Sequence, residues 1–318
     1  MRPVSFKDMD EFSFIEYLKR KIPGSKRATV GIGDDAAVLN IGKGKQLVVS
    51  TDVIVENVDF KIKALSPEKI GRKALAVNLS DLAAMGATPK AFVVTIGKPK
   101  YISTAWLKRF YNGLLALAKQ YDVECIGGDF SKAREFFASV TILGEAKPHQ
   151  VITRAGAKPG DWIAVTGSLG GSRLRKHYDF TPRVREGLFL TKQIAPTAMI
   201  DVSDGLVQDL SHILTASGVG AVLDLDRIPV SSDAKKMAKG NGCKASARAL
   251  SDGEDFELLF TVPPSKKMML EKIWKKRFPE VPLTWIGGVE GGKPVIRWVR
   301  SGKKSAPPKL VRKGFTHF

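Results

Sequence analysis

Gly31-Ile32-Gly33-Asp34-Asp35-Ala36-Ala37-Val38 is the stretch around which the rest of the chain is arranged. Two glycines lead into two adjacent carboxylates, and only small or apolar residues follow. Glycine lets a backbone turn sharply and approach a ligand closely. Alone, the stretch reads as a turn, because Asp and Gly are ordinary turn residues. The same chemistry recurs in Ser50-Thr51-Asp52, Asn78-Leu79-Ser80-Asp81, Gly127-Gly128-Asp129 and Asp201-Val202-Ser203-Asp204-Gly205. Each sets an Asp among small residues beside an apolar run. Such a recurrence suggests carboxylates gathered around hard cations, with glycine-flanked backbone free to meet phosphates.

Before the first stretch, Phe12, Ile15, Leu18 and Ile22 predict an amphipathic helix over residues 10–22, ended by Pro23-Gly24. After it, residues 47–55 are β-branched and apolar, a strand with Ser50-Thr51-Asp52 in its middle. Ser66-Pro67-Glu68 opens a helix that runs to Met85, with Gly86 as its stop. Asn78 and Asp81 can share a face of it. An Asp near a helix C-terminus opposes the helix dipole, so a bound cation explains Asp81 better than stability does. A strand at 90–97, a helix at 103–121, a short strand at 123–126 running into Gly127-Gly128-Asp129 and a strand at 136–145 complete the first half.

The second half predicts strands at 162–166, 198–202, 219–225 and 256–262, helices at 183–194, 206–217 and 264–276, a flexible loop at 167–171 and a hairpin over 284–299. The step from strand through Asp204-Gly205 into a helix aims backbone N–H groups at the place where a phosphate would sit. Residues 287–293 have P-loop spacing, but Pro294 stands where the metal-holding hydroxyl belongs, so they read as a turn. Strands and crossover helices do not alternate regularly. The expectation is therefore α+β: two layered α/β domains, an N-terminal mixed sheet with helices (1–148) and a C-terminal α/β sandwich (149–318).

Composition narrows the class. Of 318 residues, 43% are hydrophobic and 26% charged, which is globular. No apolar run approaches the ~18 residues of a membrane span, and no signal sequence opens the chain, so the expected location is cytoplasmic. Two cysteines, Cys125 and Cys243, exclude a disulfide framework and read as buried apolar residues. His149, His177, His212 and His317 lack metal-ligand spacing, which argues against zinc. The net charge of +19 is scattered without an aromatic-interleaved basic motif. A solvated lysine-rich surface is the preferred account, with nucleic-acid binding as the alternative.

These motifs, with residues 74–87 (ALAVNLSDLAAMGA), 153–162 (TRAGAKPGDW), 199–206 (MIDVSDGL), 251–257 (SDGEDFE) and 313–318 (KGFTHF), stand in an order that resembles the thiamine-monophosphate kinase family from end to end. The resemblance implies ATP as co-substrate, thiamine monophosphate as acceptor and several Mg²⁺ ions. It implies metal ligands at Asp35, Asp52, Asp81, Asp129, Asp201 and Asp204, supplemented by Ser50 and Thr51. It places ATP at Gly128, Asp129, Arg154 and Ser203, and the acceptor at Glu254 and Phe315. A homodimer joined through its N-terminal sheets is also implied. Asp34 reads as a turn residue or a neighbour of the ligands, and Asp209 and Asp255 as capping or solvated. Phe315 reads equally as C-terminal packing and as a stacking partner for substrate.

Two features depart from the family. Asp59-Phe60 stands where a His before Phe is usual, at a substrate-contacting position, and residues 167–182 are shorter than usual. No motif holds a nucleophilic His or Cys. The expected chemistry is direct in-line transfer with metal ions offsetting the repulsion between phosphates. The acceptor phosphate is already largely ionised near neutral pH, so no strong base is required. The alternative is a related ATP-dependent ligase or cyclase.

Overall fold

The computed structural model describes residues 11–22, 27–148, 150–241 and 244–311. The first half runs α1 (Glu11–Lys21), β1 (Ala28–Val30), β2 (Ala37–Asn40), β3 (Gln46–Val55), α2 (Pro67–Ala84), β4 (Thr88–Lys98), α3 (Thr104–Gln120), β5 (Glu124–Lys132) and β6 (Phe137–Ala146). The second half runs β7 (Trp162–Thr166), α4 (Lys176–Asp179), α5 (Val184–Phe189), β8 (Ala198–Asp201), α6 (Leu206–Ser217), β9 (Gly220–Asp224), α7 (Ser232–Asn241) and α8 (Ala245–Ser251). It closes with β10 (Leu258–Val262), α9 (Pro264–Arg277), β11 (Leu283–Glu290), β12 (Ile296–Arg300) and β13 (Lys303–Ser305). The architecture is the α+β arrangement expected, two mixed sheets with helices.

The six-stranded sheet has the order β1-β2-β3-β6-β4-β5, and only β4 and β5 are parallel, joined by α3. Its strands alternate. Val48, Ile54, Val140, Ile142, Val94 and Ile96 point inward and are buried. In register with them, Thr51, Thr141, Val93 and Gly127 lie in one row on the outer face, and Val53, Ser139, Thr95 and Asp129 in the next.

α2 is the central element. Ser66 caps it by accepting the Lys69 N–H at 3.4 Å, and Pro67 starts its first turn. Its apolar residues are buried on almost every side, between β3 and β6, α3 and α5, and β8 of the other sheet. Close approach of α3 requires glycines. A Cβ at Gly71 would lie 1.9 Å from the Phe110 carbonyl oxygen, and one at Gly113 1.9 Å from that of Glu68.

The seven-stranded sheet has the order β13-β12-β9-β11-β7-β10-β8. Ile163, Val165, Ile200 and Leu259 pack with Leu206, Leu210 and Ile213 of α6. Ala164, Met199, Leu258 and Phe260 join the core of α2 and the first sheet. One apolar core thus runs between the halves, and it sets the end of β8 against α2.

Several sequence expectations change. Gly127, Gly128 and Asp129 continue β5 instead of following it as a loop, because β4 supplies a parallel partner along their whole length. The expected hairpin over 284–299 is absent: β9 pairs with both β11 and β12 and separates them. Residues 167–171 are largely buried, not flexible, since the Gly170 N–H donates to Asp255 and the Gly171 N–H to Asp252. Cys125 is exposed on the edge strand β5; Cys243 lies outside the described residues. Among the described residues no helix is long and apolar enough to cross a membrane.

Replacing Gly113 with Ala forces α2 and α3 apart, and overpacking of this kind costs about 1–3 kcal/mol. Denaturant unfolding should show a lower midpoint for Gly113→Ala; an unchanged midpoint would mean that the helices do not meet at these glycines.

Candidate active site

A cavity of about 660 Å³ opens between the two sheets. Its walls come from the 31–35 turn, β3, α2, the segment carrying Arg154, the end of β8 and the start of α6, with Glu254 and Phe256 opposite. α2 contributes Lys73, Val77 and Asp81. These lie four residues apart and so fall on one helical face.

Asp35, Asp81 and Asp201 each bring one carboxylate oxygen within 4.8 Å of the others. Each is held by a neighbouring motif. Ser50 donates its hydroxyl to Asp81, and Ser80 donates to Asp201. Asn78 accepts the Asp52 N–H at 3.1 Å, which ties β3 to α2 and sets Asp52 beside the cluster. Arg154 donates Nη2 to Asp35 at 2.6 Å and its backbone N–H to the Asp34 carboxylate at 3.2 Å. Asp34 is therefore a bracing residue of the turn. The second oxygen of Asp35 is buried with no hydrogen-bond partner.

Burial and mutual repulsion make these carboxylates reluctant to ionise. Burial raises Asp81 well above the usual carboxylate range, and Asp52, Asp201 and Asp35 add to it. Asp201 is pushed up to about 8 by burial and by Asp35. Burial likewise raises Asp35, with Arg154 opposing. Asp34 rises to about 7 for the same reason, with Asp35 adding. An all-oxygen donor set with an orphaned buried oxygen fits a hard divalent cation.

A second group stands at the start of α6. Asp204, Asp209 and His212 bring ligand atoms within 4.8 Å of one another. Asp209 is buried and accepts the Asp204 and Gly205 N–H groups at 3.2 and 3.0 Å. Asp209 thus holds the turn into α6 by the two N–H groups that precede the helix. Asp209 caps, as one reading had it, but is not solvated. Burial lowers His212 to about 4, with Arg154 and Lys19 adding, so the ring is neutral. Spacing alone gave no sign of His212.

The far end of the cavity is built on α2. Lys73, buried in the helix, donates to Glu254 at 2.6 Å. Asp59 lines the cavity there, its carboxylate accepting the Val55 N–H at 2.8 Å. The SDGEDFE motif divides its labour. Glu254 faces the cavity, while Asp252 and Asp255 hold glycines 171 and 170. Asp255 is fully buried, not solvated. Burial would raise Glu257, but Lys176 and Arg183 outweigh it and hold the carboxyl at about 2. Glu254 and Phe256 sit at φ +53° and +50°, a left-handed backbone that costs energy in non-glycine residues and tends to cluster at functional sites. The sequence reading missed Lys73, whose signal was a lysine inside an apolar helix.

The structure does not bring every candidate together. Ser203 lines the cavity, and its carbonyl accepts the Glu254 N–H at 2.6 Å. Thr51 sits at the rim with its hydroxyl bonded to Val140 and Thr141 of β6. Gly128 and Asp129 lie on β5, away from the cavity. Asp129 is about 14 Å from Val53 across three strand spacings. Phe315 lies outside the described residues.

Comparison with known proteins bears on this geometry. Residues 33–146 match the AIR synthase related protein, N-terminal domain. The thiamine-monophosphate kinase of Rhodopirellula baltica is 39% identical over 96% of this chain and 97% of its own length. That of Salmonella typhimurium is 38% identical over 97% and 98%. The chain belongs to the thiamine-monophosphate kinase family. The solved structure described as AaThiL complexed with AMPPCP and TMP matches with a TM-score of 0.82 at 32% identity, covering both chains fully. Hydrogenase maturation protein HypE of E. coli, at 19% identity and a TM-score of 0.69 over 95% and 99% of the two chains, shares the fold alone.

The raised carboxyls would make divalent-cation binding at this cluster pH-dependent. Asp201 titrates near 8 when folded and near 3.8 when unfolded, so between those values the folded chain binds more protons. Stability without metal is then greatest at the acid end and falls as pH rises through the folded value. Metal displaces those protons, so stabilisation by Mg²⁺ should be larger at about pH 8 than at about pH 5.5. Thermal unfolding with and without Mg²⁺ checks this, with Asp201→Asn reducing the shift. Equal shifts at both pH values would contradict it.

Proposed function

We propose that this chain transfers the γ-phosphoryl group of ATP to thiamine monophosphate, giving thiamine diphosphate and ADP. The observation that carries the proposal is that one cavity holds a carboxylate cluster at one end and the Lys73–Glu254 pair at the other. Full-length identity to relatives named thiamine-monophosphate kinase supports it.

Asp35, Asp52, Asp81, Asp201 and Asp204, with Ser50, would hold Mg²⁺. When bound, Mg²⁺ would supply the positive charge that offsets repulsion between the phosphates. The chain's own residues do the rest. Arg154 is fixed by Asp35 and keeps a buried Nε without a partner, which leaves its guanidinium capacity for a phosphate oxygen of ATP. Ser203 lines the same cavity. Glu254, with Asp59 near it, offers a negative partner to the cationic ring of the acceptor. We keep Phe315 as a proposed aromatic contact of that ring.

A homodimer is part of the proposal. β5 is exposed along its whole length, and among the described residues one of its edges is unpaired. The outer sheet face exposes Val53 and Val93. An uncovered edge of this kind is a template for another strand. Gly128 and Asp129 lie next to each other on that edge strand, where a nucleotide crossing the edge would meet both. Location in the cytoplasm is likewise proposed, because ATP is the co-substrate.

The direct experiment incubates the protein with ATP, Mg²⁺ and thiamine monophosphate and separates the products. Thiamine diphosphate should form and should vanish with chelator. Asp81→Asn should lower kcat by roughly 100-fold or more, since metal-mediated charge stabilisation is worth several kcal/mol, while the melting curve stays nearly unchanged. Absence of thiamine diphosphate would sink the reading, and a near-normal Asp81→Asn rate would remove Asp81 from the metal set.

A further inference from the structure

Lys73 projects from the middle of α2 and is 1% exposed. A buried ammonium is costly unless every proton is used. Here three acceptors meet Nζ: Glu254 Oε1 at 2.6 Å, the Asp59 carbonyl at 3.0 Å and His177 Nδ1 at 3.4 Å. An ammonium has three protons, so none is left for a substrate. The third contact needs a neutral ring with its proton on Nε2. Burial and Lys73 itself lower His177 to about 4, which fits.

The three partners come from separate parts of the chain. Asp59 lies in the turn after β3, Glu254 in the left-handed loop before β10, and His177 in the short helix α4. Lys73 is where they meet. Asp81 lies eight residues further along the same face of α2, about 12 Å away at the helical rise. Glu254 is 30% exposed at its side chain, open to the cavity and held from behind.

We infer that Lys73 is the positioning residue of the acceptor end: anchored by the Asp59 carbonyl and His177, it fixes the Glu254 carboxylate at a set distance from Asp81. This matches the cavity to a monophosphate carried by an extended cationic ring system. The inference rests on the phosphoryl transfer proposed above and assigns its acceptor specificity to a residue that touches no substrate. Lys73 acts through Glu254, and α2 transmits the spacing between the two ends as a rigid rod.

The test is a steady-state comparison of Lys73→Met, Glu254→Gln and the double variant, with the acceptor and ATP varied separately. Lys73→Met should raise the acceptor KM about 5- to 20-fold and leave the ATP KM within about twofold, a loss of roughly 1–2 kcal/mol confined to one substrate. Because Lys73 acts through Glu254, the double variant should have an acceptor KM no higher than Glu254→Gln alone. Multiplying effects, equal rises in both KM values, or an unchanged acceptor KM would overturn the inference. Should Lys73→Met fail to fold, His177→Ala serves: it keeps the ion pair but frees one ammonium proton, and should raise the acceptor KM about 2- to 4-fold with the ATP KM unmoved. An unchanged acceptor KM there overturns the inference. Wild-type turnover separates the two levels. An inactive wild type defeats the function and the inference together, whereas an active wild type with an indifferent Lys73 defeats the inference alone.

Discussion

Asp35, Asp81 and Asp201 approach one another where little water reaches them, and ionised carboxylates in such a place repel strongly. Each has one hydrogen-bonding support: Arg154 for Asp35, Ser50 for Asp81 and Ser80 for Asp201. One guanidinium cannot compensate three carboxylates. The rest of the structure is built to hold this unfavourable cluster in place. α2 is buried between the sheets, glycines admit α3 against it, and one apolar core fixes the end of β8 beside Ser80. Packing energy elsewhere sustains the charge crowding here, as is common at sites built for cations.

The same helix carries a second, quite different polar device. Toward its N-terminal end Lys73 is neutralised by Glu254 and fully hydrogen-bonded, whereas the carboxylate cluster toward its C-terminal end is under-compensated. The satisfied end reads as a fixed wall and the unsatisfied end as a place for ions. The net charge of +19 does not enter this contrast, since the cavity's polar residues are chiefly acidic. Much of the basic surface lies on elements such as α9, whose last turn is Lys275-Lys276-Arg277.

What the sequence disclosed was largely local. Ser66-Pro67 at the start of α2, Ser103 before α3 and Gly218 after α6 are signals that act within one turn, and all three stand in the structure. Pairings between distant strands were not legible. β11 and β12 are neighbours in sequence and looked like a hairpin, but β9 comes between them through contacts some 70 residues apart. α7 and α8 went unread because neither carries an uninterrupted apolar face; α8 has no side-chain cap, and the cap of α7, Ser231 accepting the Ala234 N–H at 2.9 Å, is its one local signal. At the site, the Asp-and-small-residue motifs pointed to residues that do converge. They could not distinguish the inward Asp52 from the outward Asp129, because the face of a strand depends on register. Lys73 escaped notice because Glu254 and His177 are remote in the chain, and His212 because a lone histidine near Asp204 and Asp209 makes no recognisable ligand spacing.

The buried carboxylates are proposed to form a divalent-cation site. Crystals grown with Mn²⁺ and a non-hydrolysable ATP analogue would test it by anomalous scattering. An anomalous peak is expected about 2.0–2.3 Å from carboxylate oxygens of Asp35, Asp81 and Asp201, with the orphaned Asp35 oxygen among the ligands. Peaks confined to other places, with Asp35 still closed on Arg154 and no scatterer among the three carboxylates, would contradict it.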